Sequence, residues 1–176
     1  MTSAVLIIDV QQGLCEGPNA AYDVAAVITR INGVTERARA AGVPVIFIQH
    51  ESGPGYLEYG SRAWQLADGL HTEPGDRRIR KTTPDSFLRT NLQETLESLS
   101  VRDLIICGMH TEFCVDTTTR RALALGYPVR LVADGHTTAG NAHIGPLQVI
   151  AHHNTTLANI ASFGPRAQPV PSAQLP

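Results

Sequence analysis

Four short apolar runs constrain the fold of this chain more than any other feature of its sequence. They lack the alternation of polar and apolar residues that a one-sided strand shows, so they are typical of strands buried on both faces of a parallel sheet. Segments with helical spacing of apolar residues separate and follow them. The predicted strands cover residues 4–8, 43–48, 101–107 and 127–133, and the predicted helices cover 22–41, 84–99, 117–125 and 143–160. This order predicts a three-layer α/β/α domain around a mainly parallel, doubly wound sheet of about six strands.

The length of the chain suits one domain, which we expect at residues 1–164. In its last helix, Ile144, Leu147 and Leu157 are among the residues expected to face the core. Residues 165–176 form a proline-rich C-terminal segment without periodicity. We expect this segment to be extended and either weakly docked or free.

Composition and charge exclude several classes of function. The formal net charge of -2 comes without a basic block, so neither nucleic acid nor an anionic membrane surface is an expected partner. No apolar run approaches the roughly 20 residues that span a bilayer, and the N-terminus lacks the basic region of a signal peptide. The three cysteines form no CxxC pair, which favours a reducing compartment. We expect a soluble, cytoplasmic protein that acts on a small molecule.

Reactive side chains stand where the predicted strands end. Asp9, His50, Cys114 and Asp134 each fall at or just after such an end, and the carboxyl ends of parallel strands share one edge of a sheet. From its own segment alone, Asp9 fits a loop cap as well as a functional carboxylate. Cys114 lies between a strand and a helix, where unpaired N–H groups and the helix dipole favour the thiolate.

A nucleophilic cysteine that hydrolyses amides also needs a proton acceptor and a site for the oxyanion. Asp9 and Lys81 are a chemically sensible pair for this purpose, because the carboxylate can take the thiol proton while the ammonium holds the carboxylate. Taken by itself, Lys81 fits an ordinary solvated cation.

Three separated motifs resemble the isochorismatase-like cysteine hydrolases, and they occur in the family's order. They are Ile7-Ile8-Asp9-Val10-Gln11, the lysine segment at residues 80–87 and the nucleophile segment at residues 108–118. The resemblance implies that Asp9 is the general base, Lys81 its charge partner and Cys114 the nucleophile that forms a thioester. It also implies a cis peptide bond between Met109 and His110, with the backbone N–H groups of His110 and Cys114 forming the oxyanion hole. Residues 150–154 are similar to a segment of streptothricin hydrolase-type members.

The resemblance does not extend to a metal site. Nicotinamidases of this family carry an Asp-x-His motif after the second strand, where this chain has Gln49-His50-Glu51. A zinc site needs about three or four protein ligands, so we expect neither metal nor other cofactor. His50 is assigned to the pocket wall, with a backbone-bonded, partly buried histidine as the alternative. The residues expected to line the pocket are Gln12, Leu14, His50, Trp64, His110 and Phe113.

Residues 52–76 form a long irregular segment, which we interpret as a lid or binding loop rather than a surface excursion pinned by its aromatic residues. Family members are often dimers or tetramers, so a homo-oligomer is expected, and a neighbouring subunit could complete this loop. The preferred function is hydrolysis of a small-molecule amide, lactam or carbamoyl compound. The alternatives are an isochorismatase-type vinyl-ether hydrolase, which resembles this pattern without the cysteine, and a redox-sensing or non-catalytic thiol protein.

Overall fold

A six-stranded sheet forms the centre of the computed structural model, which describes residues 2–176. Its strands are β1 (Ser3–Ile8), β2 (Val45–His50), β3 (Arg77–Lys81), β4 (Asp103–Met109), β5 (Val129–Thr137) and β6 (Ala167–Val170). They lie in the order β3-β2-β1-β4-β5-β6, and every neighbouring pair is parallel. The predicted doubly wound α/β/α class and the count of about six strands are confirmed.

Helices cover both faces of the sheet. They are α1 (Gln12–Cys15), α2 (Val24–Ala40), α3 (Leu92–Ser98), α4 (Asp116–Ala124) and α5 (Pro146–Asn159). Helices α3, α4 and α5 bury Leu96, Leu123 and Leu157 in one core layer. Helix α2 buries Ile31 and Val34 in the other layer. None of the helices in residues 2–176 combines the length and the hydrophobicity needed to cross a bilayer.

The sheet reverses its winding between β1 and β4, which are neighbours although β2 and β3 lie between them in sequence. In open α/β sheets, the crevice at the carboxyl ends of such strands is the usual ligand site. The two strands meet closely there. Gly108 has φ of +119°, and a Cβ atom at this position would overlap the carbonyl oxygen of Ile8. Glycine is therefore required where β4 approaches β1.

The apolar runs account for four of the six strands, and the two outer strands were not predicted. Strand β3 is basic and buries only Ile79 and Lys81, because an edge strand needs only one apolar face. Strand β6 lies within the segment predicted to be a weakly docked or free tail, and that prediction is wrong. The segment is extended, but it pairs with β5, and proline is compatible with an edge strand.

Contacts beyond the β5–β6 pairing fix the C-terminal segment to the domain. The Arg37 side chain donates hydrogen bonds to the carbonyl oxygens of Ser172 and Leu175, at 2.6 and 2.9 Å. The carboxylate of Asp134 accepts from the backbone N–H and the hydroxyl of Ser172, at 2.7 and 2.9 Å. Residues 165–176 are thus part of the same packed unit as residues 2–164.

Two predicted helices differ from the observed ones. The helix expected at residues 84–99 begins only at Leu92, because side chains of residues 83–90 bond to nearby backbone groups and hold local turns instead. In α5, Ile144 precedes the helix and Leu147 is exposed, whereas Val149 and Leu157 face the core. The assignment of Ile144 and Leu147 to the core is wrong, since helix α5 begins later and its apolar face is narrower than expected.

Candidate active site

A buried ion pair between Asp9 and Lys81 lies at the carboxyl edge of the sheet. Asp9 directly follows β1 and takes the left-handed conformation, with φ of 53°. Lys81 is the last residue of β3, and its side chain points inward because alternate residues of a strand face opposite sides. Lys81 Nζ lies 2.6 Å from Asp9 Oδ2, and the two side chains are 0% and 1% exposed. The structure thus brings together two residues that are 72 positions apart in the sequence.

The Lys81 ammonium is the centre of a larger polar cluster. Besides Asp9, it contacts the carbonyl oxygen of Thr83 at 3.1 Å, Cys114 Sγ at 3.2 Å and His50 Nδ1 at 3.3 Å. Burial and the charge of Lys81 lower the pKa of His50, so its ring is neutral at pH 7. The sulfur predicted to be the nucleophile is therefore held directly against the cation.

Cys114 lies in a π-helical turn, Thr111–Val115, which joins β4 to α4. Burial, and after it the charge of Asp9, raise the pKa of the Cys114 thiol to about 12, although the charge of Lys81 acts in the opposite direction. The expectation that this position favours the thiolate is therefore wrong for the resting protein, because burial and the charge of Asp9 raise the pKa by more than Lys81 lowers it. The thiol keeps its proton at pH 7 and needs a base before it can react.

Asp9 is placed to be that base. One of its carboxylate oxygens, Oδ2, is paired with Lys81. The other, Oδ1, is buried and has no hydrogen-bond partner among residues 2–176. A carboxylate oxygen of Asp9 lies within 4.8 Å of Cys114 Sγ. The arrangement provides a thiol, a proton acceptor and a fixed cation in one cluster.

The start of the π-helical turn is fixed to the end of β4. The peptide bond between Met109 and His110 is cis. The carbonyl oxygen of His110 accepts hydrogen bonds from the N–H groups of Phe113 and Val115, at 3.1 and 3.2 Å. Cys114 lies between these two donors in the sequence, so the same contacts limit the position of its sulfur.

A buried histidine that sequence reasoning missed also holds this turn. Asn154 uses its amide N–H to bond Ala133 O, so its Oδ1 accepts from His136 Nε2–H at 3.0 Å. His136 Nδ1 is then an acceptor, and the hydroxyl of Thr111 donates to it at 2.9 Å. His136 was not singled out because β5 was predicted to end at residue 133, whereas it continues to Thr137.

A cavity of about 260 Å³ opens above Cys114. Four of the residues predicted to line it do so, and Tyr56, Leu57 and Pro84 were missed because they lie in irregular segments without a pattern. The lining residues are Asp9, Leu14, His50, Tyr56, Leu57, Pro84, His110, Phe113 and Cys114.

Gln12 and Trp64 are not among the residues that line this cavity, and their part in substrate binding stays a prediction. The side-chain nitrogen of Gln12 donates to Asp68 at 2.9 Å and its oxygen accepts from the Asp68 N–H at 2.8 Å. Trp64 packs edge-on against Tyr59, and its carbonyl oxygen accepts from the Gln11 side chain. These contacts hold the loop of residues 52–76 to the rest of the chain, while the indole Nε1 of Trp64 is buried without a hydrogen-bond partner among residues 2–176.

That loop is anchored to its own chain over much of its length. Backbone hydrogen bonds run from Gln12 N–H to Gln65 O, from Gly13 N–H to Ala63 O and from Ala67 N–H to Val10 O, each at 2.9 Å. Leu57 and Trp64 are buried. Its contribution to the site is therefore local, through Tyr56 and Leu57 at the mouth of the cavity.

The donor atoms of Asp9, His50 and Cys114 lie within 4.8 Å of one another, close enough to be considered as metal ligands. However, Lys81 Nζ is within 3.3 Å of a donor atom of each of the three. A metal ion in their midst would meet an ammonium group already bound to the same atoms. The donor set therefore fits the lysine better than a second cation.

Comparison with known proteins identifies the family. A model of the isochorismatase domain matches residues 3–162. The chain belongs to the isochorismatase family. The resemblance carried by the three motifs is thereby confirmed.

Some proteins that are similar to this chain have been named for their reactions. A streptothricin hydrolase of Streptomyces noursei is 38% identical over 138 residues, covering 77% of this chain and 49% of that protein. Ureidoacrylate amidohydrolase RutB of Caulobacter vibrioides is 30% identical over 176 residues, covering 79% of this chain and 78% of that protein. A solved structure of an isochorismatase family protein aligns with a TM-score of 0.88 at 37% identity, covering 96% of this chain and 97% of the other. The chain spans about half the length of the streptothricin hydrolases that it matches.

Proposed function

We propose that this chain is a cysteine hydrolase that cleaves a C–N bond of a small-molecule amide, lactam or carbamoyl compound. The observation that carries the proposal is the cluster of Asp9, Lys81 and Cys114 at the base of a cavity. Relatives named as a streptothricin hydrolase and a ureidoacrylate amidohydrolase support hydrolysis of carbon–nitrogen bonds in general.

The first half of the reaction forms a thioester. Asp9 Oδ1 takes the proton of Cys114 as the sulfur attacks the carbonyl carbon of the amide, and the nearby ammonium of Lys81 stabilises the charge that develops on the sulfur. The backbone N–H groups of His110 and Cys114 bind the oxyanion. Collapse of this intermediate breaks the C–N bond, and the proton held by Asp9 passes to the leaving nitrogen.

The second half releases the acid. Asp9 removes a proton from a water molecule, which attacks the thioester carbon. Cys114 leaves as the thiolate and recovers the proton from Asp9, so the enzyme returns to its starting state. The raised pKa of Cys114 in the resting protein is compatible with this cycle, because the base and the thiol exchange one proton.

The test is a panel of amides that includes nicotinamide, carbamoyl compounds, lactams and cyclic imides, with products identified by mass spectrometry. Cys114→Ala and Asp9→Asn should each abolish turnover of any amide that the native protein hydrolyses. Cys15→Ala is the matched control, since Cys15 is another partly buried thiol, near Met109 rather than in the cluster. It should retain activity. Normal turnover by Cys114→Ala would refute the thioester route, and its turnover of a vinyl ether would support the ether-cleaving alternative.

A further inference from the structure

The wall of the active-site cavity offers no cation to an incoming anion. None of its lining residues is lysine or arginine. The ammonium of Lys81 lies behind the wall, where Asp9, Thr83, His50 and Cys114 surround it. A substrate carboxylate in this cavity would lose its water shell without gaining a charge partner, which is strongly unfavourable.

A carboxylate of the protein adds to this effect. Glu112 lies two residues before the nucleophile, with Oε1 bonded to the Thr138 hydroxyl at 2.8 Å and Oε2 buried without a partner among residues 2–176. Its charge acts on the ring of His110, which lines the cavity. The charge of Asp9 is offset by Lys81, so Glu112 is the carboxylate that disfavours an anion beside His110.

The imidazole of His110 is one of two buried polar groups of the wall, with the carboxylate oxygen Oδ1 of Asp9, that lack a partner among residues 2–176. Its Nε2 is buried and has no hydrogen-bond partner among residues 2–176, while His50 Nδ1 already faces Lys81. Burial lowers the pKa of His110, so the ring is neutral at pH 7. Because a buried and unpaired ring nitrogen is unfavourable, a ligand group that bonds to it is stabilised in the cavity.

We propose that the cavity receives a small acyl group without negative charge, and that His110 Nε2 determines specificity by forming a hydrogen bond to it. This inference rests on the proposed function for the identity of the ligand as an acyl group. The volume of about 260 Å³ is at the small end for ligand sites. The imidazole of His110 takes no part in bond breaking, because Asp9 makes the proton transfers and only the backbone N–H of His110 binds the oxyanion.

Alkylation of Cys114 tests the inference without requiring amide hydrolysis. Iodoacetamide and iodoacetate are nearly the same size and differ in charge, and each forms a bond from Cys114 Sγ to its methylene carbon as iodide leaves. The rate of alkylation of Cys114 is measured for each reagent at pH 8 by peptide mass spectrometry. The rate with iodoacetamide divided by the rate with iodoacetate is then divided by the same ratio for free cysteine, which corrects for the different reactivities of the two reagents. We expect the corrected ratio to favour iodoacetamide at least tenfold.

Variants of His110 assign the effect to this residue, and each keeps the backbone N–H. His110→Leu should slow iodoacetamide severalfold, and His110→Gln should restore most of the rate because it retains a polar group. His110→Arg supplies a cation and should shift the ratio at least tenfold toward iodoacetate. Circular dichroism checks that each variant is folded. If His110→Arg does not fold, the comparison of His110→Gln with His110→Leu still tests the role of the imidazole.

A corrected ratio near one, or one that favours iodoacetate, would overturn the inference. So would a native Cys114 that reacts with neither reagent while the urea-denatured protein reacts with both, because the cavity would then exclude even the neutral group. These outcomes are separate from the amide panel. A protein that prefers iodoacetamide but hydrolyses no amide would contradict the proposed function alone.

Discussion

Replacing one member of the ion pair between Asp9 and Lys81 should destabilise the fold more than replacing both members together. Both side chains are essentially inaccessible to solvent, so removing one charge leaves the other buried and unpaired, at a cost of about 3–5 kcal/mol in the free energy of unfolding. Asp9→Asn is the appropriate change on one side, since asparagine tolerates the left-handed conformation at φ of 53°. Lys81→Met is the change on the other side, because it keeps most of the side-chain length.

The double variant should be more stable than either single variant, because no unpaired charge remains. Urea unfolding followed by circular dichroism at pH 7.5 gives the four free energies of a double-mutant cycle. The exposed pair of Glu16 and Arg62, at 3.2 Å, is the matched control, and its removal should change stability little. Single losses below about 1 kcal/mol, or a double loss equal to the sum of the single losses, would refute the view that the charges depend on each other.

Three further predictions follow from individual contacts. Burial lowers the pKa of His136, so the unfolded chain binds a proton more readily than the folded one. The free energy of unfolding should therefore fall as the pH drops below about 6.5. In urea unfolding, the difference between pH 7.5 and pH 5.5 should be smaller for His136→Gln than for the native protein. Gly108→Ala should prevent stable folding because its Cβ overlaps the β1 backbone, whereas Gly126→Ala, at positive φ but in open space, should lower the melting temperature only modestly. Asp9→Asn should speed alkylation of Cys114 by iodoacetamide while abolishing hydrolysis. Asp9 raises the pKa of that thiol and Lys81 lowers it, so the variant should hold more thiolate. Slower alkylation of the variant would contradict the effect assigned to Asp9.

The central strands were predictable because their burial on both faces leaves a continuous apolar run. Strands β1 and β4 illustrate this, as every residue of β1 and nearly all of β4 are buried. The edge strands carry no such signal. Only alternate residues of β3 are buried near its end, and β6 contains Pro169, which is tolerated because the strand has a single neighbour in the sheet.

The residues of the candidate site were predictable from the sequence, but the protonation state of its thiol was not. Strand ends placed Asp9 and Cys114 at one edge of the sheet, and the family resemblance added Lys81 to them. The protonated state of Cys114 depends on how deeply the sulfur is buried, which only the packed structure defines. The cavity wall was also partly missed, because Tyr56 and Pro84 reach it from irregular segments whose path depends on tertiary contacts.

The central claim is that Cys114 carries the acyl group during turnover. The most direct measurement is acid quenching of the native protein with an amide that it hydrolyses, at a series of times, followed by peptide mass spectrometry. We predict a mass increase equal to the acyl group on the peptide that contains Cys114, and none on the peptide that contains Cys15. Full turnover with Cys114 unmodified at every quench time would contradict the account.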